Sequence, residues 1–520
     1  MKPHRKTMAT LLAVLLATAL SPAVKAAVSK PNFVFILTDD QTLEQMRVMT
    51  HTRSLIGDAG ATFTNAFISF PLCCPSRATF LTGLYAHNHL VLDNTLPTGG
   101  YYRFNGKNTL PVWLRAAGYH TIHVGKYLNS YGELGPRAIP PGYDEWMATV
   151  DPSTYQYYGY TMNENGRLKT YGTPGVADPA TYQTDVLRNK AVDAIHRNAR
   201  AGKPFYMNVW FLAPHREVAA DGTQTPPRPA PRHEGTFANE PLPKPPSFNE
   251  ANMSDKPLFM RIKPRLDAAA IATITTQYRA ELESLLAVDE AVQAIVGALQ
   301  TDGILDNTYV VFESDNGYFH GEHRTPDEKI LGYEPSIRVP FMMRGPGIVP
   351  GTVVRERVVN ADYAPTIVAL SGAKPGLSMD GRSLLPYVND PSLRTKRPVL
   401  IEAFFPVGST AGFVTDRLPL ALPVTAPFGQ GDAAGSSPIP LGKAVMSYEG
   451  LRTDRYAFIE YTTGEHELYD LKYDPYELQS VHADPRYART EASLEANLLV
   501  LRFCKGDTCR HQIVPVLDPN

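Results

Sequence analysis

Residues 73–83, Cys-Cys-Pro-Ser-Arg-Ala-Thr-Phe-Leu-Thr-Gly, are the most informative stretch of this sequence. Pro75 is favoured in the first turn of a helix, where a missing backbone N–H group costs no hydrogen bond, so a helix is expected to begin there. The free N–H groups of that turn and the Arg77 guanidinium can together stabilise a negatively charged oxygen beside Cys73. The run also has a purely structural interpretation, because cysteine pairs are common in cores and disulfides, and Pro-Ser-Arg is a usual turn before a helix.

Two apolar runs of the sequence are typical of buried parallel strands, and each ends in a pair of oxygen-bearing side chains. These are Pro31 to Thr38 followed by Asp39 and Asp40, and Thr308 to Ser314 followed by Asp315 and Asn316. Since the carboxyl ends of parallel strands meet at one edge of a sheet, three carboxylates and an amide oxygen can converge there. Such hard oxygen ligands favour Ca²⁺, or Mg²⁺, over zinc or copper. Taken alone, each pair would be a solvated loop or a helix cap.

Further apolar runs predict more buried strands of the same kind, and amphipathic runs between them predict helices. The strands are expected at Tyr119 to Val124, Pro204 to Leu212 and Ile337 to Met343, and the helices at Thr181 to Ala199 and Ile271 to Leu299. Alternation of strand and helix predicts an α/β fold, with a mostly parallel sheet flanked by helices. Ligands of such sheets bind outside the carboxyl ends of the strands.

The pattern changes from about residue 397 onwards. Short strand-like pieces follow at Val399 to Phe404, Ala444 to Ser447, Tyr456 to Tyr461 and His466 to Leu471. They predict a smaller C-terminal α+β subdomain at 397–520 with an antiparallel sheet, beside an N-terminal domain at 27–396. Residues 226–257 are rich in Pro, Asn and Glu and show no periodicity, which indicates a long ordered loop, either a rim of the substrate site or a passive insertion.

Length, charge and the N-terminal residues limit the class of protein. A chain of 520 residues is long enough for two structural units, and its net charge of -2 provides no general attraction for nucleic acid. Residues 1–26 begin with basic residues, continue with the apolar run Met8 to Leu20 and end in small residues at Ala26. This pattern is typical of a secretory signal, and the apolar run is shorter than the ~20 residues that span a bilayer. We expect a secreted or periplasmic protein, cleaved near Ala26 and without a transmembrane span in its mature form; an uncleaved anchor is the alternative.

The four cysteines fit export to an oxidising compartment. Cys504 and Cys509 are separated by Lys-Gly-Asp-Thr and can close a small loop through a disulfide. Cys73 and Cys74 are adjacent, and a disulfide between neighbouring residues is strained. At least one of this pair is therefore expected to be free for other chemistry.

The run 73–83 resembles the sulfatase signature C-x-P-S-R-x-x-x-L-T-G, and residues 118–128, Gly-Tyr-His-Thr-Ile-His-Val-Gly-Lys-Tyr-Leu, resemble the second signature of that family. The resemblance extends to Glu-Leu-Tyr-Asp-Leu at 467–471 and implies an alkaline-phosphatase-like fold. It also implies hydrolysis of sulfate esters by a formylglycine that a formylglycine-generating enzyme makes from Cys73, aided by a bound Ca²⁺. The hydrated formylglycine would attack sulfur while His215 or Lys329 protonates the departing oxygen.

The resemblance also implies the residues of the site. The catalytic set is Cys73, Arg77, Lys126, His215 and Lys329, and the metal ligands are Asp39, Asp40, Cys73, Asp315 and Asn316. His215 follows the apolar run that ends at Leu212, which places it at the carboxyl end of a strand. The structural alternatives are a surface histidine at position 215 and a solvated loop lysine at position 329. Many members carry a histidine two places after the matching lysine, where this chain has Leu128. His123 is expected in the core or behind the site rather than in catalysis.

Candidate residues for the substrate pocket are His320, His323 and Arg324, which follow the predicted metal loop. Within the family the likeness is closest to N-acetylglucosamine-6-sulfatases and bacterial arylsulfatases, so the expected substrate is a sulfated sugar or an aryl sulfate. The alternatives are a phosphate or phosphonate ester hydrolase of the same superfamily, and a sulfated-glycan binding protein in which Cys73 is never converted.

Overall fold

The protein is described by a computed structural model that covers residues 30–219, 221–404, 447–510 and 514–519. Its strands, in chain order, are β1 (Asn32–Asp39), β2 (Ala61–Phe67), β3 (His120–Gly125), β4 (Glu145–Thr149), β5 (Tyr160–Glu164), β6 (Arg167–Tyr171), β7 (Phe205–Pro214), β8 (Glu217–Val218), β9 (Gln224–Thr225), β10 (Thr308–Ser314), β11 (Arg338–Arg344), β12 (Thr352–Val354), β13 (Val358–Val359), β14 (Val399–Ala403), β15 (Tyr448–Arg452), β16 (Tyr456–Tyr461) and β17 (His466–Asp470).

The helices cover both faces of a large sheet. They are α1 (Thr50–Thr52), α2 (Cys73–Thr82), α3 (Ala86–His89), α4 (Leu110–Ala116), α5 (Gln183–Ala201), α6 (Leu258–Arg261), α7 (Ala268–Thr301), α8 (Glu334–Ile337), α9 (Tyr363–Ser371), α10 (Leu385–Asn389) and α11 (Ala488–Leu501). Short 3₁₀ and π turns lie at Glu44–Val48, Arg53–Asp58, Ser153–Tyr155, Pro179–Thr181, Leu305–Asn307, Asn360–Asp362, Pro485–Tyr487 and Gly506–Arg510. The predicted helices at 181–199 and 271–299 correspond to α5 and α7.

The order of the large sheet among the described residues is β12-β2-β11-β10-β1-β7-β3-β4-β5-β6, with β13 beside β2. The strands at its centre, from β10 through β1, β7 and β3 to β4, are parallel. Along β1, Phe33, Phe35 and Leu37 contact one hydrophobic cluster, while Val34 and Ile36 contact the other. Alternate side chains point to opposite faces of a strand, so the continuous apolar run of β1 is buried on both sides, as its sequence predicted.

One predicted strand is antiparallel to its neighbours, whereas the sequence predicted a parallel strand. The segment 337–343 corresponds to β11, which is antiparallel to both β10 and β2. A parallel neighbour of β10 would need a crossover connection back to the far edge of the sheet, usually through a helix. None of residues 315–333 is helical, and the chain turns at the edge where β10 ends, so β11 starts there.

The C-terminal region contains the predicted antiparallel sheet, with the strand order β14-β15-β16-β17. Its apolar face shares one hydrophobic cluster with Phe70 and Leu72, which directly precede α2. The predicted strand at 444–447 lies mostly outside the described residues, and β15 begins at Tyr448. The boundary between domains at residues 396 and 397 stays a prediction.

The structure also bears on the predictions for the cysteines, the long loop and membrane-spanning segments. Cys504 and Cys509 form a disulfide, while Cys73 and Cys74 are free and buried. Residues 226–257 contain no helix or named strand, as expected for a long loop. The proposed signal at 1–26 lies outside the described residues. In the described part of the chain, no helix is both long enough and apolar enough to cross a membrane.

Candidate active site

The predicted site residues converge at the carboxyl edge of the parallel strands. Asp39 is the last residue of β1, and the pairing of Thr38 with Ser314 brings Asp315 and Asn316 beside it. Lys126 follows β3 and His215 follows β7, which are the next strands along the sheet. The sheet register therefore gathers residues that are up to about 280 positions apart in the sequence, at the edge where ligands of such sheets bind.

Three carboxylates and three cations form one buried network at this edge. Lys329 Nζ lies 2.6 Å from Asp40 Oδ1, and Lys126 Nζ forms a short ion pair with Asp39. Arg77 links two of the acids, with Nη2 at 3.0 Å from Asp39 and Nε at 2.8 Å from Asp315. Buried carboxylates are tolerated only when they are paired, so each cation offsets the desolvation of its partner.

The pKa values of two acids of this network, Asp39 and Asp315, are shifted in opposite directions. Burial favours the neutral form of Asp39, but Lys126 and Arg77 outweigh it and hold the pKa of Asp39 well below its usual range. Burial, together with the negative charge of Asp39, raises the pKa of Asp315 to about 6. An additional positive charge nearby would therefore favour the ionised form of Asp315.

Cys73 is the first residue of α2, and its thiol lies inside the network. Its Sγ accepts a hydrogen bond from Lys329 Nζ at 3.1 Å and lies 3.4 Å from Asp39 Oδ1. Burial, followed by the charge of Asp39, raises the pKa of the Cys73 thiol well above its usual value. An unmodified thiol here is therefore mostly protonated and a weak nucleophile at neutral pH.

Gly125 is required for the position of Lys126. It has φ of 104°, and a Cβ atom at this residue would lie 2.0 Å from the carbonyl oxygen of Trp210. The next N–H group, that of Lys126, donates to the same carbonyl at 2.9 Å. A glycine before the lysine lets the chain turn tightly against β7 and direct the ammonium group to Asp39.

Lys329 is placed by an unusual backbone conformation. Ile330 has φ of 77°, which is uncommon for a β-branched residue. Its N–H group donates to Pro71 O at 2.9 Å, and its carbonyl oxygen accepts a short hydrogen bond from the Tyr448 hydroxyl on β15. The C-terminal sheet therefore helps to hold this turn, at a backbone cost on the order of 1 kcal/mol.

His215 and Tyr155 complete one wall of the site. His215 Nδ1 lies 2.7 Å from the carbonyl oxygen of Arg216, so Nδ1 carries the proton and Nε2 is left at 3.7 Å from Asp40 Oδ2. Burial lowers the pKa of His215. The Tyr155 ring lies 4.7 Å from Lys126 Nζ and 5.3 Å from the His215 ring. Sequence analysis missed Tyr155, because nothing in its local pattern indicates proximity to the site.

The donor set fits a calcium ion. Asn316 Nδ2 donates to Asp40 Oδ1 at 2.6 Å, and this leaves Asn316 Oδ1 buried without a hydrogen-bond partner among the described residues. An unsatisfied buried oxygen beside three carboxylates has the hard-ligand chemistry that Ca²⁺ prefers. One ligand atom from each of Asp39, Asp40, Cys73 and Asp315 lies within 4.8 Å of the others.

Two residues of the second signature lie in the core. Leu128 packs into the hydrophobic cluster on the α4 side of the sheet, so the thiol is contacted by Lys329 and Asp39 instead of a histidine from this position. His123 stacks on Trp146 with ring centroids 4.7 Å apart. Burial lowers the pKa of His123 to about 3, so this ring is neutral.

The three candidate residues of the substrate pocket do not all line the same cavity. His320 and His323 line a cavity of about 610 Å³, whose wall also includes Pro243, Lys244 and Ser247 of the long loop. Both histidines are paired with acids: His320 Nε2 is 2.6 Å from Glu281, and His323 Nδ1 is 2.6 Å from Glu250. Arg324 does not line this cavity, because its guanidinium donates to backbone carbonyls, including that of Glu250 at 2.8 Å.

Comparison with known proteins identifies the family. Residues 31–373 match the family described as Sulfatase, and residues 439–503 match the region described as N-sulphoglucosamine sulphohydrolase, C-terminal. The chain belongs to the sulfatase family. This sulfatase hydrolyses sulfate esters of sugars or aryl groups, and the resemblance drawn from its two signature stretches is confirmed.

Relatives with known names cover most of the sulfatase chain. It is 36% identical over 516 residues to an arylsulfatase of Volvox carteri, covering 93% of this chain and 76% of the relative. It is 33% identical over 501 residues to N-acetylglucosamine-6-sulfatase of Homo sapiens, covering 94% and 87% respectively. Its fold is similar to that of a protein solved in complex with its substrate D-glucosamine-2-N,6-O-disulfate. The TM-score is 0.71 at 24% identity, with 92% of this chain and 98% of the other covered.

Proposed function

We propose that this sulfatase removes the 6-O-sulfate of N-acetylglucosamine or a similar amino sugar, with a formylglycine made from Cys73 and a bound Ca²⁺. The observation that carries the proposal is the environment of Cys73: its thiol lies between Lys329 and Asp39, inside a buried cluster of oxygen ligands. The substrate class is supported by the name of the human relative and by the sugar bound in the similar structure. Aryl sulfates are the alternative substrate, supported by the Volvox carteri relative.

Residue 73 and four oxygen ligands would hold the ion. The four are Asp39, Asp40, Asp315 and Asn316. When present, the ion and the hydrated formylglycine supply an oxygen nucleophile of lowered pKa. Mg²⁺ is the alternative ion, but it demands near-octahedral geometry, whereas Ca²⁺ accepts a flexible set of carboxylates and an amide.

The cations of the network would bind the sulfate group and offset its charge. Lys329 and Lys126 contact the acids on either side of Cys73, so their ammonium groups border the place where a sulfate would meet residue 73. Arg77 spans Asp39 and Asp315 and keeps both acids in position. In a buried site, such preorganised charges stabilise the negative charge that develops on the sulfonyl oxygens in the transition state.

His215 or Lys329 would deliver the proton to the departing sugar oxygen. The Nδ1 of His215 is held by the Arg216 carbonyl, which leaves Nε2 as the atom that can take up and release a proton. A bound anion favours the protonated ring, because an opposite charge nearby raises the pKa of an imidazole. Lys329 is already protonated, since Asp40 and the other acids outweigh burial and raise its pKa well above the usual value.

Maturation and export complete the proposal. We propose that a formylglycine-generating enzyme of the producing cell converts Cys73, and that residues 1–26 act as a secretory signal that is removed near Ala26. The converted protein would then act outside the cytoplasm on sulfate esters. We also propose that the mature chain is divided into two domains, at 27–396 and 397–520.

The test begins with the mass of the tryptic peptide Ser54 to Arg77 from protein made in its native host. An aldehyde at residue 73 makes the peptide lighter than the thiol form and reactive toward hydrazides. The same preparation is then assayed with N-acetylglucosamine-6-sulfate, an aryl sulfate and a phosphate monoester. We expect the lighter peptide and fastest turnover of the sulfated sugar; an intact thiol in active protein would refute the formylglycine, and preference for the phosphate ester would refute the sulfate specificity.

A further inference from the structure

A second group of potential metal ligands lies in the C-terminal region, outside the site described above. One ligand atom from each of His466, His482 and Glu491 lies within 4.8 Å of the other two. The Oε1 atom of Glu491 is 3.1 Å from His466 Nδ1 and 2.5 Å from His482 Nδ1. A fourth side chain, Glu495, places its Oε1 atom 3.6 Å from His466 Nδ1.

The ligands come from three separate parts of the fold. His466 is the first residue of β17, and His482 lies in the segment between β17 and α11. Glu491 and Glu495 are one turn apart on α11, so they share one face of that helix. An ion bound by these side chains would therefore join the edge strand of the C-terminal sheet to the helix that packs on it.

The chemistry of the group favours zinc. Two imidazole nitrogens and a carboxylate are usual Zn²⁺ ligands, whereas Ca²⁺ and Mg²⁺ prefer oxygen ligands alone. In a tetrahedral site with bonds of about 2 Å, neighbouring ligand atoms are roughly 3.3 Å apart. The separations of His466 Nδ1 from Glu491 and Glu495, 3.1 Å and 3.6 Å, bracket that spacing. His482 Nδ1, at 2.5 Å from Glu491 Oε1, would have to move outward, and Glu495 would have to approach the other ligands.

Exposure allows an ion to enter and the last ligand to adjust. The side chain of His482 is 44% exposed and that of His466 is 21% exposed, while Glu491 is 10% exposed. The two rings lie with their centroids 5.1 Å apart and tilted, so both can present Nδ1 to one point. Hydrogen bonds alone would need both rings to donate to the same oxygen of Glu491.

We propose that His466, His482 and Glu491 bind one Zn²⁺ ion, with Glu495 or water as the fourth ligand, and that the ion fixes α11 to β17. This site is independent of the proposed hydrolysis, and it goes beyond it by assigning a structural ion to the C-terminal region.

The test is a calorimetric titration of the full-length protein with ZnCl₂, after treatment with a chelator and with Ca²⁺ present in excess to fill the oxygen-ligand site. We expect one zinc ion per chain and a higher thermal midpoint in its presence, since ligand binding stabilises the folded state. The variants His466→Gln and His482→Gln should lower zinc affinity at least about tenfold. His120→Gln is the matched control, because His120 also contacts two acids, Glu145 and Asp144, but has no second imidazole in its cluster.

The outcomes separate the proposal from simple hydrogen bonding. Zinc binding that is lost in both ligand variants and kept in the control supports the site. Absence of binding with Ca²⁺ present, or binding that persists in both variants, overturns it. Sulfatase activity of each variant checks folding, and X-ray absorption at the zinc edge of the loaded protein must show two imidazole ligands.

Discussion

Among the residues that the structure describes, two groups of side chains have the composition of metal sites, and they differ in burial and in ligand type. The group around Asp39 is buried, consists of oxygen ligands with one sulfur, and is surrounded by Arg77, Lys126 and Lys329. The group around Glu491 is partly exposed and provides two imidazoles. Water can stabilise charge at the exposed group, whereas the buried acids need cations from the protein itself.

This difference shows how position in the fold determines chemistry. At the carboxyl edge of the sheet, the counter-charges needed to bury three acids are also groups that can bind a sulfate. The exposed group needs no additional cations from the protein, and its ligands are suited to hold an ion without reacting. The following changes test that distinction, beginning with the largest expected effect.

Replacing the residue proposed as the nucleophile should abolish turnover. Cys73→Ala removes the side chain that would be converted, and kcat is expected to fall at least about 10⁴-fold, as for other lost nucleophiles. Cys74→Ala is the control, because Cys74 is also buried at the start of α2 but belongs to the hydrophobic core. Kinetics with a sulfate ester measure both variants. Equal activity of the two would contradict a special role for Cys73.

Much of the buried site could be predicted from sequence because its residues follow recognisable elements. Asp39 and Asp315 come directly after apolar strands, and Cys73 opens a helix within a distinctive run. The location of Tyr155 at the site could not be predicted in this way, since its contact with Lys126 depends on how the segment after β4 folds back. The second group is dispersed over a strand, a loop and a helix, and none of its residues stands at the end of a buried parallel strand.

The direction of β11 and the turn at Ile330 were also beyond sequence reasoning. When helices cover both faces of a sheet, its parallel and antiparallel strands have the same kind of apolar sequence. The composition of β11 therefore did not determine its direction. The left-handed backbone at Ile330 depends on hydrogen bonds with Pro71 and Tyr448, which are distant in the sequence. Local preference would have placed a glycine or asparagine there.

Removing metal should affect the two groups differently. Chelation is expected to lower sulfatase activity about 10³-fold, since a bound ion contributes several kcal/mol of charge stabilisation. Ca²⁺ should restore the activity and Zn²⁺ should not, because the buried donors are hard oxygens. Asn316→Ala should raise the Ca²⁺ concentration for half-maximal activity at least about tenfold, whereas His482→Gln should leave it unchanged. Recovery with zinc alone would contradict the assignment of the buried group.

Tyr155 should act by positioning Lys126 and His215. Tyr155→Leu removes the ring that contacts both side chains, and kcat/KM is expected to fall about tenfold, because a cation–π contact in a buried site contributes on the order of 1–2 kcal/mol. Tyr155→Phe keeps the ring and loses the hydroxyl, which accepts a 2.6 Å hydrogen bond from Asn129 Nδ2. Activity should therefore recover largely in Tyr155→Phe. An equal loss in both variants would assign the effect to the hydroxyl.

The smallest effect is expected at the contact between the C-terminal sheet and the catalytic lysine. Tyr448→Phe removes the hydrogen bond to the Ile330 carbonyl, which is worth about 1 kcal/mol, so kcat should fall roughly fivefold with little change in KM. Ile330→Gly in the same background should restore part of the lost kcat, because glycine adopts the positive φ without strain. Such rescue would show that β15 acts on hydrolysis through the backbone next to Lys329. If Tyr448→Phe instead lowered only the thermal midpoint, with kcat unchanged, the contact would be structural, and the buried group would hold Lys329 without help from the C-terminal sheet.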